Sequence, residues 1–353
     1  MAVNYDRIAR DVAFSLEVKS PKIAENIFLQ NGALVMFGAK RRVKVNKGGN
    51  RFDERIRLGS NSNTGHRAKT AQIPTDFQNN VQTAYYGHAV CSTAAIVNLV
   101  EVDQNQGTAK IDDLAEDAVT EAQLTMVNEI GEAIMQETSG ANDPISIQET
   151  LEATAYGSQT SSLGGISRAD YPGSDVTAAY QNQYDNNGIS DVGAAAGKSA
   201  LEKFLWDCSP GGGSMTEQPD LGITTTGVFA KMTGGEDALR RYPPNAKMME
   251  LGFNNVMVNN ATIIADRNCP TGTLFAVNTN YARVQVLGGP KTKNFGMVKT
   301  VGDGKQEIPL QVRPPIEADD YLNYVIKVYL VYNITFSGLR QHGRIASITE
   351  AGA

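Results

Sequence analysis

The sequence predicts an α+β fold, and three stretches carry that prediction. In AKIDDLAEDAVTEAQLTMVNEIGEAIMQETSG, residues 109–140, the apolar residues Ala115, Val119, Ala122, Met126, Ile130 and Ala133 recur at three and four. That is the spacing of an amphipathic helix. In YLNYVIKVYLVYNITFSGL, residues 321–339, Ile326, Val328, Leu330, Tyr332, Ile334 and Phe336 alternate with Val325, Lys327, Tyr329, Val331, Asn333 and Thr335. The first set makes one face wholly apolar, the pattern of a long strand packed on a helix. Between them, residues 145–310 mix short helical and strand signals with the turns PGGGSM, RYPPN, NCPTGT and LGGP, which read as a compact α+β region.

The helix is expected to start at Asp112 or Asp113, either of which can cap it. At 1.5 Å per residue it would run roughly 35–40 Å. The strand, at about 3.3 Å per residue, would reach roughly 40 Å. Helix and strand should therefore lie together as one elongated pair of layers. Gly131 inside the helix costs about 1 kcal/mol relative to alanine, which the length can absorb.

The chain carries a net charge of −6, unevenly spread. Residues 1–60 hold 12 lysines and arginines against 6 acids, leaving 20 against 32 for the rest. Lys40, Arg41, Arg42 and Lys44 cluster in that basic front, which is expected to form an electrostatic surface toward nucleic acid or an acidic neighbour. A solvated charged segment is the other reading, since no long basic run or aromatic interleaving accompanies them.

Residues 39–84 are polar, rich in glycine and asparagine and poor in core residues. Within them RFDERIRLG alternates as a strand does, with Phe52, Glu54, Ile56 and Leu58 on one side and Arg51, Asp53, Arg55 and Arg57 on the other. So long an excursion with so little apolar content cannot bury itself, and a projecting hairpin or loop is expected. VQTAYYGHAVCSTAAIVNLVEV follows as a strand and an apolar turn, and SDVGAAAGKSALEKFLW reads as a helix capped by Ser190 or Asp191 with Leu201, Phe204 and Leu205 buried.

No apolar run approaches the roughly 20 residues of a membrane span, and MAVNYDRIARDVAFSLEVKS lacks the basic-then-apolar order of a signal peptide. The chain is expected to stay soluble where it is made. Cys91, Cys208 and Cys269 are odd in number and widely spaced, which fits a reducing cytosol and no disulfide framework.

Catalytic motifs are weak. GAAAGKS, Gly193 to Ser199, falls one residue short of a phosphate-binding loop and follows a polar segment where that loop needs a buried strand. It reads as an alanine-rich helix start. Of His66, His88 and His342, only His88 has a cysteine nearby, Cys91, whereas a structural zinc site needs four ligands. Neither a G-x-S-x-G elbow nor an H-E-x-x-H helix is present. LGGISRADYPG, Leu163 to Gly173, gathers Ser167, Arg168, Asp170 and Tyr171 between Gly164, Gly165 and Pro172. Arg168 and Asp170 would as readily pair with each other or with a neighbouring chain as act on a substrate. The glycines and the proline shape a backbone, so the stretch reads as an architectural loop.

Two stretches carry a resemblance. GGISRADYP, Gly164 to Pro172, and VNNATIIADRNCPTGTLFAVNTNYARV, with Asp266, Gly272, Asn278 and Tyr281, resemble the axial-domain sequences of tailed-bacteriophage major capsid proteins, the Hong Kong 97-like fold. Gly173 and Ser174 stand where that family often has tryptophans. The resemblance implies an N-terminal arm over 1–38, an extended β-hairpin loop over 39–84 and a peripheral domain with a long spine helix over 85–145. It further implies an axial domain over 146–312, with a peripheral return strand and C-terminus over 313–353.

It also implies a structural protein with no catalytic site and no cofactor, self-assembling through pentamers and hexamers into an icosahedral shell around double-stranded DNA held by non-specific contact. Arg51, Asp53, Glu54, Arg55 and Arg57 would lie on a neighbouring subunit. No long charged helical segment precedes residue 30, which implies a separate scaffolding protein; a portal is a further partner, and a decoration protein is left open. The implied location is the virion capsid, assembled in the bacterial host cytoplasm without membrane contact. An encapsulin-type shell enclosing enzymes shares this fold, and a nucleotide-binding enzyme using GAAAGKS is the reading from a different class.

Overall fold

A 14-residue strand, Asn323–Phe336, runs through the middle of the largest sheet in the computed structural model. The structure describes residues 42–98, 128–171, 180–186, 188–209, 216–234, 255–288 and 323–350, with residues 33, 37, 40, 118, 121–122 and 125–126. It also gives the backbone of 293–299, 305–312 and 316–317. Most of the N-terminal arm, Arg41, Asp112, Asp113, Ala115, Val119 and Pro172 lie outside the described residues.

The strands in chain order are β1 (Val43–Asn46), β2 (Phe52–Arg57), β3 (Val81–Tyr86), β4 (Ala89–Asn98), β5 (Ser162–Leu163), β6 (Ile166–Ser167), β7 (Gln183–Asn186), β8 (Leu221–Thr224) and β9 (Asn255–Val258). They continue with β10 (Ala261–Ala265), β11 (Leu274–Val277), β12 (Ala282–Leu287), β13 (Lys293–Lys299), β14 (Lys305–Val312), β15 (Ile316–Glu317), β16 (Asn323–Phe336) and β17 (Gly343–Ala346). The helices are α1 (128–135, with 118, 121, 122, 125 and 126 also helical), α2 (Ile147–Thr150), α3 (Ala195–Asp207) and α4 (Thr226–Gly234).

One edge of β16 pairs antiparallel with β4 from Asn323↔Asn98 to Tyr332↔Ala89, and the other takes β12, β14 and β15 in turn. The inner face is the one the alternation names: Ile326, Val328, Leu330, Tyr332, Ile334 and Phe336 are all buried. They share one core with Ala122, Met126, Ile130 and Ile134 of α1, so the helix and strand layers pack as their patterns require. At the C-terminal end of β16 the other face is buried too, at Val331, Asn333 and Thr335, because further chain covers it there.

A second, six-stranded sheet runs β7-β17-β11-β8-β10-β9. It is buried on both faces. Leu221, Ile223, Ile264, Phe275 and Val277 join the core just described, while Val258, Ile263, Leu274, Ala276 and Ile345 pack under Leu201, Phe204 and Leu205 of α3 and Val228 and Met232 of α4. This double coverage accounts for the near-continuous apolar runs of β8 and β11.

Three strands depart from the expected division of the chain. β1, inside the stretch expected to project, is the edge of the seven-stranded sheet, parallel to β12 with Val43 opposite Val284. β12, inside the stretch expected to be axial, also belongs to that sheet. β17, from the C-terminal segment expected to be peripheral, lies between β7 and β11 of the six-stranded sheet. The start of α3 differs as well. Its N-cap position is Ala194, without a side-chain bond, and Asp191 instead accepts from the Gly193 amide at 3.0 Å and pairs with Lys231 at 3.3 Å.

Candidate functional site

β2 and β3 form an antiparallel ribbon in register from Phe52↔Tyr86 to Arg57↔Val81. Strand geometry sends alternate side chains to opposite faces, and along β2 the two faces differ completely. Phe52, Glu54, Ile56, Leu58, Ala84 and Tyr86 are buried, and Arg51, Asp53, Arg55, Arg57 and Tyr85 are exposed. On the outer face Arg51 lies 3.6 Å over the Tyr85 ring and pairs with Asp53 at 3.1 Å.

Glu54 belongs to the inner face, which corrects its assignment as a contact to a neighbour. Its Oε1 accepts from Gln285 Nε2 at 2.6 Å, and Gln285 also donates to Thr335 Oγ1 at 3.0 Å and accepts from Asn46 Nδ2 at 2.6 Å. These bonds offset the desolvation of a buried carboxylate and tie β2 to β1, β12 and β16 of the large sheet. Tyr86 adds another tie, its hydroxyl donating to the Phe336 carbonyl at 2.8 Å. Burial raises the Tyr86 pKa well above the usual tyrosine value.

Beyond the ribbon, residues 58–80 form an arm held open by polar rungs. The Leu58 amide donates to the Asn80 carbonyl at 2.9 Å, Asn80 Nδ2 to the Ser60 carbonyl at 3.1 Å, the Ser62 amide to Gln78 Oε1 at 2.8 Å and Asn63 Nδ2 to the Asp76 carbonyl at 2.8 Å. Beyond the buried Leu58, the large apolar side chains of the arm are uncovered: Ile73 is 69% exposed and Phe77 95%.

The GGISRADYP loop sits against the base of this arm. β5 and β6 are joined by Gly164 and Gly165, whose φ angles of +59° and +78° are those of a two-residue primed hairpin turn. The Gly164 carbonyl accepts from the Tyr85 amide at 2.9 Å, and a Cβ on Gly164 would stand 2.7 Å from the Ala84 Cβ. The turn therefore needs glycine both for its dihedrals and for its approach to β3.

Arg168 follows in a single 3₁₀ turn, fully buried. Its guanidinium donates to Asn182 Oδ1 at 2.8 Å, Gln159 Oε1 at 3.1 Å and the Thr150 carbonyl at 2.5 Å, with Glu152 Oε2 at 3.8 Å. Burial lowers its pKa, against the opposing pull of Glu152. Arg168 thus points into its own chain and makes no pair with the exposed Asp170 or with a neighbour. Tyr171 is half-buried and close to Gln82 of β3. Gln159, Gln181 and Asn182 are not singled out by the sequence; the last two lie in a run of amides, AYQNQYDN, and Gln159 carries no local signal.

No family model and no curated protein matches the sequence. Among solved structures, a chain of the cyanophage A-1(L) capsid superposes with a TM-score of 0.63 at 12% identity, covering 91% of this chain and 93% of that one. A chain of the native GTA particle capsid gives 0.57 at 9% identity over 89% and 90%, and one from the capsid of Myoviridae phage XM1 gives 0.51 at 11% over 90% and 92%. The chain has the Hong Kong 97-like capsid fold.

Within this Hong Kong 97-like fold the described basic residues of the front, Lys40, Arg42 and Lys44, are not one free surface. Lys40 Nζ donates to Asp220 Oδ2 at 2.5 Å and to the Asp220 carbonyl at 3.1 Å, and Arg42 bonds Asn280 Oδ1. Asp220 is fixed in turn by the Thr279 amide and hydroxyl, both at 2.7 Å. Lys40 and Arg42 therefore clamp the front of the chain to the six-stranded sheet, and Lys44 is exposed.

The segments weighed for chemistry take structural places. Gly197 of GAAAGKS is pressed against the preceding loop, so that a Cβ there would stand 1.8 Å from the Asp191 carbonyl oxygen, and Lys198 is buried. His88 packs against Phe52 in a tilted arrangement, with ring centroids 4.6 Å apart and the planes at 56°. His342 is buried, its Nδ1 accepting from the Asn278 amide at 3.0 Å, and burial pushes its pKa down to about 3. Cys91, Cys208 and Cys269 are free thiols. Among the described residues no group of three or more His, Cys, Asp and Glu could hold a metal, and no helix is long and apolar enough to cross a membrane.

Proposed function

We propose that the chain is the major capsid protein of a tailed bacteriophage, many copies of which build a closed icosahedral shell around double-stranded DNA. The observation that carries this reading is the arm: an anchored ribbon whose outer residues 59–80 carry Ile73, 69% exposed, and Phe77, 95% exposed, without cover among the described residues. A fold common to three capsid chains supports it, and a surface reused by every copy is what closed assembly requires. Its role is structural, without catalytic groups or cofactor. Its partners are copies of itself in pentamers and hexamers, a separate scaffolding protein, a portal and packaged DNA held without sequence preference, and a decoration protein is left open. The shell forms in the bacterial host cytoplasm and persists as the virion capsid.

The stretches 1–38, 39–84, 85–145, 146–312 and 313–353 remain the proposed arm, extended loop, spine region, axial domain and return segment, with β1, β12 and β17 exchanged as described. Light scattering and negative-stain imaging of the purified chain, alone and with a scaffolding partner, test the reading. Shells, tubes or rings of five or six chains support it, and DNA extracted from the shells distinguishes a virion from an enzyme-filled compartment. A persistent monomer under both conditions rejects it.

A further inference from the structure

The chain passes between its two large sheets by two short crossings. Residues 278–281 lead from β11 of the six-stranded sheet to β12 of the seven-stranded one, and residues 337–342 lead from β16 back to β17. The crossings are tied to each other. The Ser337 amide donates to the Tyr281 carbonyl at 2.8 Å, and the Asn278 amide donates to His342 Nδ1 at 3.0 Å, with Asn278 and His342 wholly buried. The first bond joins backbone groups and is indifferent to acid. The second ends on an imidazole.

An imidazole that accepts at Nδ1 is neutral and carries its hydrogen on Nε2. A second proton can enter only at Nδ1, where it would stand against the Asn278 N–H, donor facing donor. The one anion acting on the ring is Asp220, and its oxygens are committed to Thr279 and Lys40. Around the site the front of the chain presents Lys40, held by Asp220, and Arg42, held by Asn280. The Phe336 ring of β16 stands perpendicular at 5.2 Å, and α3 presents Phe204 and the Cys208 thiol, which burial keeps protonated, to the adjoining Gly343.

We propose that His342 is an acid-sensitive pin of the junction: a proton on Nδ1 expels the Asn278 amide, separates the two crossings and loosens the seam between the two sheets. The crossings are short, so bonds across them help to set the angle between the sheets. The pin is internal to one chain and does not rest on the shell reading above. Its sign is definite. Burial outweighs Asp220 and holds the pKa of the ring down to about 3, whereas a ring released into water returns to the ordinary 6.5. Acid therefore favours the open junction, by up to about tenfold for each pH unit below 6.5.

The full-length chain carrying isotope-labelled histidine tests this, since it has three histidines, His66, His88 and His342. At pH 7.5 the ring shifts of His342 are expected to show its hydrogen on Nε2. Amide exchange, corrected for its intrinsic pH dependence, is expected to quicken by about tenfold or more between pH 6.5 and 4.5 in residues 277–282 and 337–343, with residues 326–332 of β16 unchanged. H342Q keeps an acceptor without a titration and is expected to show no such change. Equal quickening in H342Q overturns the proposal, as does a level profile in the wild type. Loss of protection in β16 in step with the crossings also overturns it, because acid would then be unfolding the whole chain. Where H342Q does not fold, the wild-type slope decides: it must approach that of one proton, about tenfold per pH unit, and a slope of several protons refutes the pin. A hydrogen on Nδ1 at pH 7.5 refutes it outright.

Discussion

The Gly164 carbonyl accepts the Tyr85 amide at 2.9 Å, and no room exists between Gly164 and Ala84 for a side chain. The angle at which the arm leaves the body is therefore set by a turn 80 residues away in sequence. Replacing Gly164 by alanine adds left-handed strain of about 1 kcal/mol or more and a methyl group in contact with Ala84. The expected result is faster amide exchange across residues 81–86, with the protection of β16 unchanged. Unchanged exchange in β3 would mean that the turn does not hold the arm.

Arg168 gives a larger effect. Its removal takes the Arg168 donor from the buried Thr150 carbonyl and from Asn182 Oδ1 and Gln159 Oε1, the last two keeping only the Glu152 and Asn182 amides, and lysine cannot reproduce a planar fork serving three acceptors. Arg168→Ala is expected to lose about 3 kcal/mol or more in urea unfolding and Arg168→Lys nearly as much. Glu152→Gln should cost under about 1 kcal/mol, since Glu152 stands 3.8 Å away and is partly solvated. Equal losses for Arg168→Lys and Glu152→Gln would make the charge pair, not the amide network, the source of stability.

How far the sequence foretold this depends on pattern length. β16 and α1 are legible because many successive residues report the same period, and the described residues of both expected apolar faces are buried. The two faces of β2 are legible for the same reason, and the alternation already placed Glu54 beside Phe52 and Ile56; only the assumption that a carboxylate must face out misled. β1 and β17 are four residues each, too short to name partners such as Val284 and Leu274, hundreds or tens of residues away. Arg168 fails differently. Arginine is rarely buried, and its acceptors come from three separate turns that no local spacing connects.

His342 makes stability depend on acid. Its folded pKa, about 3, lies below the ordinary value of 6.5, because burial disfavours the imidazolium more than nearby Asp220 favours it. Between these values the unfolded chain binds a proton that the folded chain refuses. The contribution is therefore fully present above pH 6.5 and is lost as pH falls toward 3, amounting to a few kcal/mol in order of magnitude. His342→Gln keeps an acceptor for the Asn278 amide and removes the titration, so the urea midpoint should fall less between pH 7.5 and 5 than in the wild type. Parallel slopes would show that other groups control the acid response.

Residues 59–80 separate folding from assembly. Ile73 and Phe77 are exposed, and the rungs from Ser60 to Asn80 are internal to the arm, so replacing residues 59–79 by Asn-Gly, which keeps Leu58 opposite Asn80, removes no core residue. A two-residue Asn-Gly turn suits the twist of the flanking strands β2 and β3. The shortened chain should melt within a few degrees of the full-length one, because the apolar area removed was never withdrawn from water. It should also form no shells or rings, because every copy would lack the element proposed to cover its neighbour. Normal particles from the shortened chain would leave the arm without its proposed purpose, whereas a large drop in melting temperature would show that the arm belongs to the fold of the monomer.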